Sequence, residues 1–287
     1  MAVDPRAPFG VDLKVAPSTR EFEFTNADFE RVRRLIYQRA GISLSSAKQD
    51  MVYSRLARRL RALGLKSFGL YLDQLERGGP AEWESFVNSL TTNLTSFFRE
   101  AHHFPILADH LRKQAGRPLR IWCCASSTGE EPYSIAMTVV ETFGGFTAPV
   151  SIVASDVDTS VLATASKGVY PGDRVDKLSA EQLRRFFVAE NGVYRVKPEL
   201  RRMIEFRQIN LLDTRVPLSP GFDVVFCRNV MIYFDKPTQY AILSRFAPLM
   251  HPHGLLFAGH SESFVHAADL FRSIGKTVYQ LTKSAPR

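Results

Sequence analysis

Residues Leu119–Glu131 read LRIWCCASSTGEE, and the fold turns on this stretch. Leu119, Ile121, Trp122, Cys123 and Cys124 make an apolar strand; Ala125–Gly129 make a turn of small residues. Glu130 and Glu131 then open an amphipathic helix. A second apolar strand, VSIVASD, follows and ends on Asp156. Strand, small-residue turn, helix, strand and acid form a frame that holds a nucleoside cofactor against a parallel sheet. Asp156 suits a ribose diol, because a carboxylate accepts from both hydroxyls. Asp158 is the alternative acid, although its position suits a cap on the following helix. The turn lacks G-x-G-x-x-G, and two carboxylates occupy the helix start where a pyrophosphate would rest. Both features disfavour a dinucleotide. They fit a cationic, phosphate-free nucleoside, for which S-adenosylmethionine is the obvious candidate. Glu130 would then meet the cationic amino-acid end, or else simply offset the helix dipole.

The bulk numbers set the frame for this reading. A chain of 287 residues holds one large domain or two ordinary ones. A hydrophobic content of 45% and an aromatic content of 11% indicate a real core. No apolar run approaches the ~20 residues of a membrane span. The N-terminus lacks the apolar core of a secretion signal. A cytoplasmic protein without direct membrane insertion is expected. The net charge of +8 points to an acidic partner. The three cysteines, Cys123, Cys124 and Cys227, match no zinc spacing and read as small core residues. Cys123 and Cys124, being adjacent, should face opposite sides of one strand. The histidines form no convincing ligand set, so no metal is expected.

Residues 1–24 carry three prolines and no periodicity, which predicts a loose tail. Residues 25–90 read as a helical domain. NADFERVRRLIYQRAG has an Asn cap and a Gly stop, and SSAKQDMVYSRLARRLRALG has a Ser cap and ends at Gly64. SFGLYLDQLERGG and PAEWESFVNSLTTN follow as two more helices. A linker and connecting helix span 91–118. From 119 to 287 strands and helices alternate, with candidate strands at 119–124, 150–155, 203–208, 222–227, 254–258 and 277–282. This pattern predicts an α/β, doubly wound and mostly parallel sheet whose last strand is an antiparallel edge. Between about 168 and 205 the pattern breaks into turns, a helix and a hairpin with an Asn-Gly turn. That segment reads as an inserted subdomain.

Three further segments bear on chemistry. TTNLTSFFRE, 91–100, is either a helix end with the next cap or a linker crossing the cofactor cleft. In the second case Asn93 and Thr95 bond a polar cofactor end, and Arg99 binds a carboxylate bidentately. FDVVFCRNVMIYF, 222–234, ends an apolar strand in Arg228 and Asn229 at the carboxyl edge, where open α/β sheets place ligands. Tyr233 either faces the reacting methyl or is a core aromatic. Asn210 and Leu211 fall at a third strand end, where an amide could read an adenine edge. The segment from Lys48 to Lys66 holds six basic residues and one acid. Its basic face is either plainly solvated or docks an acidic partner.

Together these residues resemble the chemotaxis receptor methyltransferases, the CheR family of protein-glutamate O-methyltransferases. TTNLTSFFRE, ASSTGEEPYSIAM, ASDVDTSVLATASKGVY, FDVVFCRNVMIYFDKPTQ and GLLFAGHSESF carry the resemblance, in order, over about Asn26 to Leu281. It implies a class I (Rossmann-like) methyltransferase domain with a small antiparallel β-subdomain, preceded by an all-α domain. It implies S-adenosylmethionine contacts from Asn93, Thr95, Arg99, Glu130, Asp156, Asn210, Leu211, Arg228 and Asn229, with S-adenosylhomocysteine as product. Arg99 and Tyr233 are placed near the transferred methyl. Arg55, Arg58 and Arg59 become candidates for docking on a chemoreceptor's cytoplasmic helical bundle. In some relatives the β-subdomain also grips a receptor C-terminal tethering peptide, and the hairpin here, FFVAENGVYRVKPEL, looks short for that. Two other readings compete. A nucleic-acid methyltransferase would explain the basic charge but not its concentration on one helix, and RNVMIYF lacks the Asn-Pro-Pro-aromatic run that suits a flipped base. A non-catalytic module that binds S-adenosylmethionine and a receptor without turnover is opposed by the presence of Arg99, Asp156, Asn229 and Tyr233.

Overall fold

Hydrophobic periodicity switches from helical to strand-like near Leu119, and the architecture switches with it. The computed structural model describes residues 20–282. Four helices come first: α1 (Asn26–Ala40), α2 (Gln49–Leu63), α3 (Phe68–Arg77) and α4 (Pro80–Leu90). Their apolar stripes meet in one core built on Val32, Ile36, Val52, Leu56, Leu60, Phe68, Leu72 and Phe86. Thr25, not Asn26, caps α1, and it does so through a reciprocal capping box with Asp28. The Ser46–Lys48 segment is a 3-10 turn, so α2 starts at Gln49 without a side-chain cap.

The expected tail over 1–24 mostly lies outside the described residues, and its last part is not loose. Phe22 and Phe24 are buried in the helical core. The Phe24 ring lies 4.4 Å from that of Phe68. Arg20 pairs with Asp50. Two aromatics in a proline-bearing segment gave no periodic signal, because an extended strap needs none.

The remaining elements are α5 (His103–Lys113), β1 (Leu119–Cys123), α6 (Glu130–Phe143), β2 (Val150–Asp156), α7 (Thr159–Lys167), β3 (Val169–Pro171), α8 (Ala180–Phe186), β4 (Phe187–Glu190), β5 (Val193–Val196), α9 (Pro198–Arg201), β6 (Ile204–Gln208), β7 (Phe222–Cys227), α10 (Lys236–Phe246), β8 (Met250–Ala258), β9 (Phe271–Gly275) and β10 (Val278–Leu281). Seven strands form one sheet in the order β6-β2-β1-β7-β8-β10-β9. The pairs from β6 to β8 are parallel; β10 is antiparallel to both β8 and β9. The order reverses between β2 and β7 around β1, and the cleft opens at the carboxyl edge there. Cys123 and Cys124 fall into opposite cores, one packed by α5 and α6, the other by α10. All three cysteines are free and buried.

The antiparallel β10 is present, but it is not the edge. It lies between β8 and β9, and β9 takes the edge. Only Phe271 of β9 is buried, so its sequence FRSIG carries little apolar patterning. The inserted subdomain is a second sheet, β3-β5-β4. Asn191 and Gly192 both take positive φ between β4 and β5, the geometry of a tight hairpin turn. β6 belongs to the main sheet, so the insertion ends before Ile204.

Phe24→Ala should lower stability by about 3 kcal/mol, because a buried ring leaves a cavity. Chemical denaturation checks this, and a loss under about 0.5 kcal/mol would mean that the Arg20–Phe24 strap is not part of the core.

Candidate active site

The carboxyl ends of β1, β2 and β7 open onto one cavity of about 500 Å³, within the range of small-ligand sites. The helical part closes it with Ala40, Ile42, Ser43, Leu44, Ser45, Lys48 and Met51, and the linker crosses it from Leu90 to Thr95. Asp156 lies at the base of this cavity. Its carboxylate accepts the Ser127 N–H at 2.8 Å and the Asp158 N–H at 3.0 Å. One acid thereby fixes both the β1–α6 turn and the end of β2. Gly129 ends that turn at φ 102°, and a side chain there would press a Cβ within 2.6 Å of the Tyr170 hydroxyl. Burial pushes the Asp156 carboxyl up, against the opposing pull of these backbone donors.

The two acids that open α6 point in different directions. Glu130 is fully buried but does not line the cavity. Its carboxylate is held by Arg174 of the insertion and by the Thr128 hydroxyl at 2.7 Å. Glu131 faces the cavity instead, about 100° further round the helix. Both are consistent with the helix dipole, but the cavity position expected of Glu130 belongs to Glu131. The sequence GEE offers both acids; only the exit angle of the turn chooses between them.

Glu131 meets Arg228 at the end of β7. The Arg228 Nη1 atom lies 2.8 Å from Glu131, and Nη2 lies 3.4 Å from Glu100. Arg228 also donates to the Arg99 carbonyl. The Arg228 side chain is fully buried, so its charge is balanced almost wholly by protein groups. Burial drives the Glu131 carboxyl up despite Arg228. Burial also works to raise Glu100, but Arg228 and hydrogen bonds from His260 and Asn229 outweigh it and hold that carboxyl low.

The other expected residues divide between lining and holding. Asn93, Thr95, Arg99, Asn210, Leu211, Arg228, Asn229 and Tyr233 all line the cavity. Asn93 donates to Asp158 at 2.9 Å, and Asp158 in turn caps α7. The Asn210 amide is engaged: it donates to the Arg39 carbonyl at 2.9 Å and accepts from Leu212 N–H at 3.0 Å. Arg99 donates to the Leu94 carbonyl at 2.8 Å. Tyr233 is half-buried: it lines the cavity and packs against the helical core. Its carbonyl accepts the Ser43 N–H at 2.8 Å.

Residues 27–91 match the model of the CheR methyltransferase, all-alpha domain, and residues 93–280 match that of the CheR methyltransferase, SAM binding domain. The chain belongs to the CheR methyltransferase family. It is 56% identical to chemotaxis protein methyltransferase 2 of Pseudomonas aeruginosa, over 91% of this chain and 95% of that one. It is 50% identical to the chemotaxis protein methyltransferase of Escherichia coli, over 96% of this chain and 98% of that one. Its resemblance to the CheR family is therefore continuous through both the helical part and the α/β part.

The three arginines suggested as a CheR docking face differ in kind. Arg55 is half-buried and donates to the carbonyls of Leu90 and Thr91 at 2.9 and 2.6 Å, which ties α2 to the linker. Arg59 makes a two-point contact with Glu82, whose carboxylate also accepts from Tyr71. Only Arg58 is exposed and makes no ion pair among the described residues. Two of the three candidates are therefore internal struts. The histidines are less scattered than their spacing suggests: Glu100, His102 and His103 bring ligand atoms within 4.8 Å of one another. Arg228 stands beside that same Glu100 carboxylate, a cation where a metal's charge would have to be accommodated.

Arg55→Ala should cost about 1–3 kcal/mol, because two carbonyls lose their donor. Arg58→Ala should stay within about 0.5 kcal/mol of the parent. Thermal unfolding of the two variants side by side decides this, and equal losses would put Arg55 on the surface.

Proposed function

We propose that this chain transfers methyl groups from S-adenosylmethionine to glutamate side-chain carboxylates of chemoreceptors, leaving glutamyl methyl esters and S-adenosylhomocysteine. The observation that carries the reading is a pair of buried carboxylates, Glu131 and Asp156, facing one cavity lined by Arg99 and Tyr233. Two acids in such a cavity fit a ligand that is cationic at one end and carries a diol at the other. Asp156 retains lone pairs for the diol beyond its two backbone donors. Glu131, rather than Glu130, is assigned to the cationic amino-acid end. Asn93, Thr95, Asn210, Leu211, Arg228 and Asn229 complete the cofactor contacts, with Asn210 and Leu211 acting chiefly through their backbone.

When bound, the cofactor supplies a methyl group on a cationic sulfonium. A glutamate acceptor has an ordinary pKa of about 4.3 and arrives ionised. No base is needed, and among the described residues no histidine lines the cavity. Arg99 orients the acceptor carboxylate and Tyr233 places the attacking oxygen, while the linker and helical part exclude water. The acceptor bundle docks along the exposed side of α2, with Arg58 as an exposed cation and Lys48 at the cavity rim. A receptor tethering peptide would pair with an open edge of the β3-β5-β4 sheet. Nucleic acid has no role in this reading.

With purified protein, labelled-methyl cofactor and chemoreceptor membranes, methyl counts should appear on the receptor and be released as methanol by mild alkali. Alkali-stable counts would refute a carboxyl ester. Arg99→Ala should depress turnover at least 10-fold more than Arg58→Ala depresses it at saturating receptor. Asp156→Ala should weaken cofactor binding by roughly 10–100-fold, the worth of a charge-assisted hydrogen bond.

Cofactor affinity should also fall with pH. Glu131 and Asp156 carry their charge only above their raised pKa values, so protonation removes attraction for a cation. The loss should begin above the ordinary carboxylate range of about 4. S-adenosylhomocysteine, which lacks the sulfonium charge, should lose less. Calorimetric titration of both ligands across pH checks this, and equal losses would remove the electrostatic role of the two acids.

A further inference from the structure

The segment Arg228–Phe234 carries much of the cavity wall, yet it is neither helix nor strand at its start. Asn229 sits at φ 58°, a left-handed conformation that a non-glycine residue adopts at a cost. Its backbone must be held from outside. Glu262, 5% exposed and beyond the end of β8, does this on the donor side. Its carboxylate accepts the N–H groups of Gly259, Asn229 (2.9 Å) and Ile232 (3.3 Å). Gln239 of α10, also buried, does it on the acceptor side. Its amide donates to the carbonyls of Met231 at 2.8 Å and Phe234 at 3.0 Å. Gly259 leaves room for the arrangement: a Cβ there would lie 2.4 Å from the Asn229 side-chain nitrogen and 2.9 Å from the Glu262 carboxylate.

We infer that Glu262 is a positioning residue for methyl transfer. It fixes the arch that presents Asn229 and Tyr233 to the cavity, without touching cofactor or acceptor itself. The inference rests on the methyl-transfer reading above. A carboxylate is the fitting group because it accepts from three converging N–H donors and offers none. A glutamine in its place keeps the shape but turns one acceptor into a donor against a backbone N–H.

The test compares wild type, Glu262→Gln, Gly259→Ala and a core control, Val139→Ala on α6, for folding, product binding and receptor methylation. Glu262→Gln should fold and lose about 10-fold or more in kcat, while its affinity for S-adenosylhomocysteine, to which Asn229 is only one of several proposed contacts, should fall several-fold less, a split that marks lost positioning rather than lost binding. Gly259→Ala, whose Cβ would press on both the Asn229 side chain and the Glu262 carboxylate, should reproduce the kcat loss. Val139→Ala, destabilised but remote from the arch, should keep wild-type kcat below its unfolding temperature. Wild-type kcat in either arch variant overturns the inference, as does a matching kcat loss in Val139→Ala. If Glu262→Gln does not fold, Gly259→Ala alone decides. A wild type that binds product but methylates no receptor refutes the methyl-transfer reading, and this inference falls with it.

Discussion

Arg228 lies buried between Glu131 and Glu100, and the cavity is organised around that constraint. A guanidinium out of water must be matched on several sides. Here the matching groups come from α6, from the linker and from the Arg99 carbonyl. Three chain segments far apart in sequence are thereby drawn to one point at the carboxyl edge of the central strand. Removing any one of the acids leaves a buried charge short of a partner, which is costlier than never burying it. The arrangement also leaves carboxylate charge facing the cavity, since Asp156 contributes a third acid with only backbone donors around it.

The helical part is tied to this centre at several separate places. Arg55 grips the carbonyls where α4 gives way to the linker. Asn210 reaches the Arg39 carbonyl, Tyr37 donates to Asp235 at 2.8 Å, and Ser43 donates to the Tyr233 carbonyl. These contacts run along the rim of the cavity rather than away from it.

Much of this was legible in the sequence. LRIWCCASSTGEE and VSIVASD located β1, β2 and the cleft, because long apolar strands bounded by small-residue turns leave little choice of fold. Asp156 and Asn229 stand out because an acid and an amide end apolar strands, whereas Arg99 lies in a polar linker and it is the resemblance that points to Arg99 and Tyr233 near the methyl. What escaped notice depended on direction rather than on composition. Glu130 and Glu131 are adjacent and chemically equal, so only three-dimensional geometry separates the one facing Arg174 from the one facing the cavity. Arg55 and Arg59 share a helix face with exposed cations, and no periodicity reveals that their partners are carbonyls and Glu82. The edge strand β9 is mostly solvated and so shows no apolar alternation. Glu262 sat in plain view within GHSESF, but a lone acid gives no sign that three backbone donors converge on it.

The cavity wall is shared between the two parts of the chain. Ala40, Ile42–Ser45 and Leu90–Thr95 supply one side, and the strand ends supply the other. The helical part therefore cannot serve as an exchangeable cassette. A chimera that imported α1–α4 from a relative would import part of the cavity wall as well. Substituting exposed positions such as Arg58 leaves that wall intact, whereas wholesale replacement would have to restore the Arg55 contacts to the Leu90 and Thr91 carbonyls in the same step.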